Sequence, residues 1–183
     1  RPFEYFQWET EEDFATQEAV SQGQTMGCFY IESPAMRQLQ KKSGVGDFEH
    51  LVIHSSIIRP AANEFIQEYI RRLHGGSWDP IHPLMADVLD ETFGIMVYQE
   101  DVLKICHHFA GLDLSDADTL RRAMSGKYRS KSEIQKITGK FFSNCEAKGY
   151  SAELTKEVWR QIESFAGYSF SKAHSASYAV ESF

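Results

Sequence analysis

Apolar positions along this chain mostly recur at helical spacing, and residues that start and stop helices flank them, so helix is the dominant expectation. Thr10 followed by Asp13 suits a cap before a first helix ending near Ser21, with Gly23 closing it. Ser33 and Pro34 supply a cap and a first-turn proline for a second helix through Lys42, which Gly44 and Gly46 stop. Asp47 caps a third, in which Phe48, Leu51, Val52, Ser55 and Ile58 keep the helical spacing. Pro60 lacks an amide donor and restrains Arg59, so it interrupts this helix; a new one is expected over 61–73, stopped by Gly75 and Gly76. Further helices are expected over 83–90, 100–109, 115–124, 132–148 and 152–165, with another starting within 171–183. Pro83 opens the first of these, Ser115 with Asp118, Ser132 and Ser151 read as caps, and Gly149 sits where a left-handed closing residue belongs.

Two apolar runs are too short for free-standing helices, and residues 28–31 and 95–97 are candidate strands. The fold class is therefore mainly α, a multi-helix domain with one or two very short β-strands. No repeat or low-complexity linker interrupts the pattern, and the one boundary signal is a weak one at 74–77. A start without Met and a final helix without a stop signal are what a piece of a larger protein would show.

Composition narrows this picture. With 183 residues, 42% of them apolar and 25% charged, the chain is a folded globular protein of one large or two small domains. No apolar run approaches the roughly 20 residues of a membrane-spanning helix, and the opening residues Arg1 to Tyr5 turn polar too soon for a secretory peptide. Cys28, Cys106 and Cys145 are too few and too scattered for a disulfide framework or a zinc site; reduced thiols and a cytoplasmic location fit them.

A net charge of −7 argues against a generic nucleic-acid coat, but its distribution changes that inference. Between Arg121 and Lys140 stand Arg121, Arg122, Lys127, Arg129, Lys131, Lys136 and Lys140 against the single acid Glu133, a local +6 within a remainder of −13. Such a run attracts phosphates, and arginine adds planar bidentate geometry. A solvated helix face is the bland reading of any charge run; here Ser125 to Tyr128 break the helices and present basic groups at a turn. A second cluster runs from Phe165 to Tyr178. Its small residues, with Tyr168, Lys172 and His174, converge near a helix N-terminus, where free amides and the dipole favour anions; a packed turn with buried aromatics is the alternative.

Other candidates are weaker. Cys106, His107 and His108 are ligand types, but neighbours on a helix diverge by about 100° and suit no single metal. Asp113, Asp116 and Asp118 lack the glycine and later glutamate of a calcium loop and are sufficiently explained as capping residues. His50, His54, His74 and His82 read as surface or satisfied core residues, and no serine-hydrolase elbow, P-loop or zincin motif occurs.

Five ordered segments give the chain a family resemblance: 27–33 (Gly-Cys-Phe-Tyr-Ile-Glu-Ser) with Met36; Ile58-Arg59-Pro60; Tyr98-Gln99-Glu100; 117–124 (Ala-Asp-Thr-Leu-Arg-Arg-Ala-Met); and Phe165-Ala166-Gly167-Tyr168 leading into Lys172, His174, Ser175, Ala176 and Tyr178. In order and spacing these resemble the alpha subunit of bacterial DNA polymerase III, the C-family replicative polymerases. The resemblance implies a lead-in from the palm over 1–24 and the fingers domain over 25–183, continuing beyond it. It implies template-directed nucleotidyl transfer in the intact enzyme, with Mg²⁺ held by palm aspartates that this chain lacks, and hence no catalytic residue, no metal ligand and no activity in this stretch alone. It further implies deoxynucleoside triphosphate and primer-template DNA as partners, with other replisome subunits reached through the parent chain. By position, Arg121 and Arg122 resemble the family's triphosphate-facing arginines, Lys127 extends that surface, and Tyr168, Lys172 and His174 lie near the incoming nucleotide.

Three segments depart from the family pattern: Arg59-Pro60-Ala61-Ala62 stands for Arg-Pro-Gly-Pro, 170–175 loses an asparagine, and Ser125-Gly126-Lys127-Tyr128-Arg129 replaces a lysine-rich run. They suggest a divergent branch, either a main replicase or a translesion paralogue. The alternative is a non-enzymatic helical module that binds DNA or a protein through the basic 121–140 segment.

Overall fold

A computed structural model describes residues 10–124, 131–166 and 171–183. The helices among them are α1 (Phe14–Ser21), α2 (Pro34–Ser43), α3 (Phe48–Ile57), α4 (Asn63–Leu73), α5 (Pro83–Val88), α6 (Gln99–His108), α7 (Leu114–Met124), α8 (Lys131–Ala147), α9 (Ala152–Glu163) and α10 (Lys172–Ser182). Short 3-10 turns occupy Thr10–Glu12 and Asp90–Thr92. The protein is mainly α, as its sequence pattern predicts.

Residues up to Ile58 together with 173–183 form one compact unit, and residues 59–172 form the other. The division falls beside Pro60 and not at the weak boundary of 74–77. That loop is fastened into its own unit, because Arg71 Nη1 donates to the Ser77 carbonyl at 2.7 Å and Arg72 Nη1 donates to the Phe93 carbonyl at 2.5 Å.

In the first unit the capping residues act as their chemistry dictates. Asp13 accepts the Thr16 amide at 2.8 Å, Ser33 accepts the Met36 amide at 3.3 Å and Asp47 accepts the His50 amide at 3.0 Å, each satisfying a free amide of a helix start. Gly44 closes α2 with a φ of 70°. Gly46 answers a different need: a Cβ there would run into the Gln17 carbonyl and the Ser21 amide, so the loop approaches the α1 backbone only without a side chain. Helix α3 is buried on nearly every face, His54, Ser55 and Ser56 included. The serine hydroxyls turn back onto the Val52 carbonyl at 2.9 and 3.0 Å, which satisfies them without solvent. Ser56 also meets the buried Ser175 of α10 at 2.5 Å, a pair 119 residues apart.

The second unit is built on Ile105, Phe109, Leu112, Leu120, Phe141, Val158, Ile162 and Phe165, all essentially inaccessible. Phe109 stacks on Tyr150 at 4.4 Å, and the His82 ring stands edge-on to both. Arg59 is buried here too. Its guanidinium lies 3.9 Å from the Phe165 ring centre while Nη2 donates to the Met96 carbonyl at 3.3 Å and the Ser164 hydroxyl at 3.1 Å.

Neither short apolar run forms a strand. Tyr30 has a φ of 65° and the Ile31 amide turns back to the Phe29 carbonyl at 2.8 Å, so 28–31 is a tight turn. Residues 95–97 lie without a partner strand among the described residues. The Val97 amide is taken by the Asp101 carboxylate at 2.9 Å and the Ile95 carbonyl by the Thr92 hydroxyl at 2.6 Å. Helix boundaries shift for similar reasons. Asp113 accepts the Asp116 amide at 2.7 Å, which makes Asp113 the cap of α7 and puts Ser115 inside the helix. Ser132 likewise falls inside α8, whereas Ser151 caps α9 and Gly149 takes its left-handed φ of 80°. Helix α4 begins at Asn63 and not at Ala61, because Ala61 has a φ of 61°.

Candidate functional site

The two consecutive arginines of the basic run occupy the last turn of α7, the end at which cations complement the helix dipole. Neighbouring side chains on a helix diverge by about 100°, so Arg121 and Arg122 would ordinarily point apart. Asp118, one turn earlier, draws them together. Its Oδ1 accepts Arg121 Nε at 3.0 Å and Nη2 at 2.7 Å, and its Oδ2 accepts Arg122 Nε at 2.9 Å. Arg121 Nη1 extends to Gln99 Oε1 on the first turn of α6 at 3.5 Å.

That same turn of α6 receives the start of α10. Glu100 accepts the Lys172 backbone amide at 3.1 Å, while Lys172 Nζ sits 2.6 and 2.8 Å from the two carboxylate oxygens of Glu91 and 5.3 Å from the centre of the Tyr98 ring. Asp101 holds the turn itself by accepting the Val97 and Tyr98 amides, both at 2.9 Å. Gln99 and Glu100 thus meet two cationic residues that the sequence separates by half a hundred positions, Arg121 and Lys172. His174 is exposed on α10, in the other unit. Lys127 and Tyr168 lie outside the described residues.

The basic run is less one-sided than its own residues suggest. Lys140 reaches Asp116 at 2.5 Å and Asp113 at 3.9 Å, and Asp118 binds both arginines. Taking in these three aspartates, which lie just ahead of the counted segment, halves the local charge to +3 over 113–140. Among the described residues no three His, Cys, Asp or Glu side chains converge to hold a metal.

The remaining titratable candidates are structural. Burial pushes the Cys106 thiol up to about 12, far from the thiolate needed for reactivity. His107 donates from Nδ1 to the Leu112 carbonyl at 2.7 Å, and His82 Nδ1 caps α5 by accepting the Leu84 amide at 3.2 Å. His50 lies 2.6 Å from Asp47, whereas His54 is buried and stays neutral down to about pH 3, first through desolvation and then through His50. No helix among the described residues is long and apolar enough to cross a membrane.

Comparison with known proteins adds the family. Residues 8–149 match the bacterial DNA polymerase III alpha subunit finger domain. The chain belongs to that family. It is 36% identical over 173 residues to the DNA polymerase III subunit alpha of Caulobacter vibrioides, covering 94% of this chain and 15% of that protein. The corresponding subunits of Chlamydia muridarum and Staphylococcus aureus are 38% and 37% identical over 88% of the chain, which spans 13% and 15% of their lengths. This finger-domain chain therefore spans about one seventh of the polymerase subunits it matches.

Two family segments acquire physical roles from the geometry. The arginine of Ile58-Arg59-Pro60 is a buried structural group, stacked on Phe165, and the Tyr98-Gln99-Glu100 segment is the turn that meets Arg121 and Lys172. Sequence reasoning left Asp118 as a capping residue, although its spacing of three and four residues from the arginine pair signals the contact. Glu91 and Glu100 had no such signal, since they stand 81 and 72 residues from Lys172.

Proposed function

We propose that the chain is the part of a DNA-directed DNA polymerase subunit that positions the incoming deoxynucleoside triphosphate during template-directed synthesis, with Arg121 and Arg122 facing the triphosphate. The observation that carries this reading is the gathering of both guanidiniums by the single carboxylate of Asp118. Two planar forks fixed side by side provide directed donors for phosphate oxygens, which two independently mobile lysines would not. Lys172, at the start of α10, supplies a second basic group in this reading, which by family position also assigns His174, Lys127 and Tyr168 to nucleotide binding. The contribution is positioning and charge neutralisation as the leaving pyrophosphate develops charge. Mg²⁺ in such an enzyme supplies Lewis-acid chemistry, and its ligands belong to a palm outside this chain; no step here runs through it.

The same reading assigns residues 1–24 to the approach from the palm and 25–183 to the fingers. It makes primer-template DNA a partner, places the protein in the cytoplasm and leaves this stretch inactive alone. Base choice comes from template pairing, so these residues should bind all four nucleotides alike. The test is steady-state primer extension by the polymerase subunit carrying Arg121→Ala or Arg122→Ala. Each variant should raise KM for nucleotide or lower kcat with helix content intact by circular dichroism, and unchanged kinetics would refute the assignment.

A further inference from the structure

The carboxylates that hold Lys172 make bonds of the kind a phosphate group would make. An ammonium and a free amide at a helix start are both ordinary phosphate donors, and here carboxylates occupy both. Glu91, in the 3-10 turn Asp90–Thr92, spends both oxygens on Lys172 Nζ; Glu100 places its carboxylate on the first amide of α10, one of the four that the helix leaves unsatisfied. The Tyr98 ring beneath the ammonium limits where it can swing.

We infer that Glu91 is a specificity-determining residue for nucleotide binding, an internal carboxylate that competes with the triphosphate for Lys172, with Glu100 holding that lysine at the contest. This deepens the proposed function and rests on it. The lysine and glutamate side chains are 47% and 55% exposed, so their pair is weak. A polyanion with several charges displaces it, whereas a ligand with a single charge gains little over the carboxylate already there. Competition of this strength changes apparent affinity by about two- to five-fold, the range expected of an exposed ion pair. It also sets a direction that a merely structural ion pair would not: removing the acid strengthens binding.

The experiment is primer extension by the full-length polymerase subunit with Glu91→Gln, Lys172→Ala and the double variant, at low and high salt. Glu91→Gln should lower KM for nucleotide about two- to five-fold at low salt. The gain should shrink at high salt, as screening weakens the pair in the parent protein. Lys172→Ala should raise KM, and in that background Glu91→Gln should have no further effect. If Lys172→Ala raises KM while Glu91→Gln leaves it unchanged or raises it, competition is overturned and the nucleotide-facing reading stands. If Lys172→Ala itself leaves KM unchanged, the place of Lys172 in that reading falls and the competition falls with it.

Discussion

Ala61→Gly should stabilise this protein, although glycine is ordinarily the less stable choice. The Ala62 amide donates to the Arg59 carbonyl at 3.3 Å, closing a four-residue turn whose second residue is Pro60 and whose third, Ala61, has a φ of 61°. Proline fixes φ near −65° at the second position, so a positive φ at the third makes this a type II turn, the turn that calls for glycine there. An L-residue in left-handed backbone costs roughly 1–2 kcal/mol, because its Cβ crowds the following carbonyl. Glycine removes that cost and returns about 0.4–1 kcal/mol through the greater freedom of the unfolded chain. Ala61 is exposed, so no buried methyl is lost. The net gain is about 0.5–1 kcal/mol, or about 1–4 °C in Tm for a protein of this length. Trp78 and Trp159 belong to the same unit as the turn, so urea unfolding followed by tryptophan emission reads the effect. The neighbouring Ala62→Gly is the control. Ala62 is fully buried with a φ of −102°, and the same substitution there should destabilise. A lower urea midpoint for Ala61→Gly, with an unchanged slope, would refute the strain argument.

Other consequences can be measured on the same protein. Gly46→Ala should destabilise the first unit sharply, since the obstacle is α1 backbone and not a movable side chain; circular dichroism would show a lowered melting transition. Ser33→Ala should cost about 1 kcal/mol in urea unfolding through the lost cap of α2. Buried neutral His54 binds its proton only near pH 3, whereas the unfolded chain binds it near 6.5. This group's contribution to stability therefore falls by about 1.4 kcal/mol per pH unit as pH drops from 6.5 towards 3, and His54→Leu should remove that slope from the pH dependence of unfolding. Arg59→Lys should destabilise by about 1–3 kcal/mol, because an ammonium cannot both lie on Phe165 and reach the Met96 carbonyl and Ser164; a midpoint equal to the parent's would show these contacts to be idle.

Local chemistry made most of the helices legible. Ser33 with Pro34, Asp47 and Ser151 act within three residues of themselves, and the physics that places them needs nothing from the rest of the fold. The expected strands at 28–31 and 95–97 failed because a strand needs a partner that a short apolar run cannot name. The arginine pair was read from its position in the motif, whereas the acid one turn before it was read only as a cap, although its spacing is the local signal of the contact. The counter-charges on Lys140 and Lys172 were not. Charge was counted along a window, and the groups that answer it come from Asp113 and Asp116 just before that window and from Glu91 in a different element. The glycine-to-alanine departure at residue 61 was visible as a difference, but only a dihedral angle gives it a sign.

The hydrogen bond between Ser56 and Ser175 also constrains the order in which this protein is made. The first unit owns both ends of the described chain, and the second is threaded between them as an insertion. During synthesis α1 to α3 leave the ribosome early, yet the bond that completes their unit waits for residue 175. The intervening unit, continuous in sequence, can close first and bring the separated ends within reach, which turns a long loop closure into a short one. Until then the buried face of α3 lacks the part of its cover that α10 supplies, so slowing translation within 59–172 should lengthen the exposure of the earlier segment to protease and chaperone.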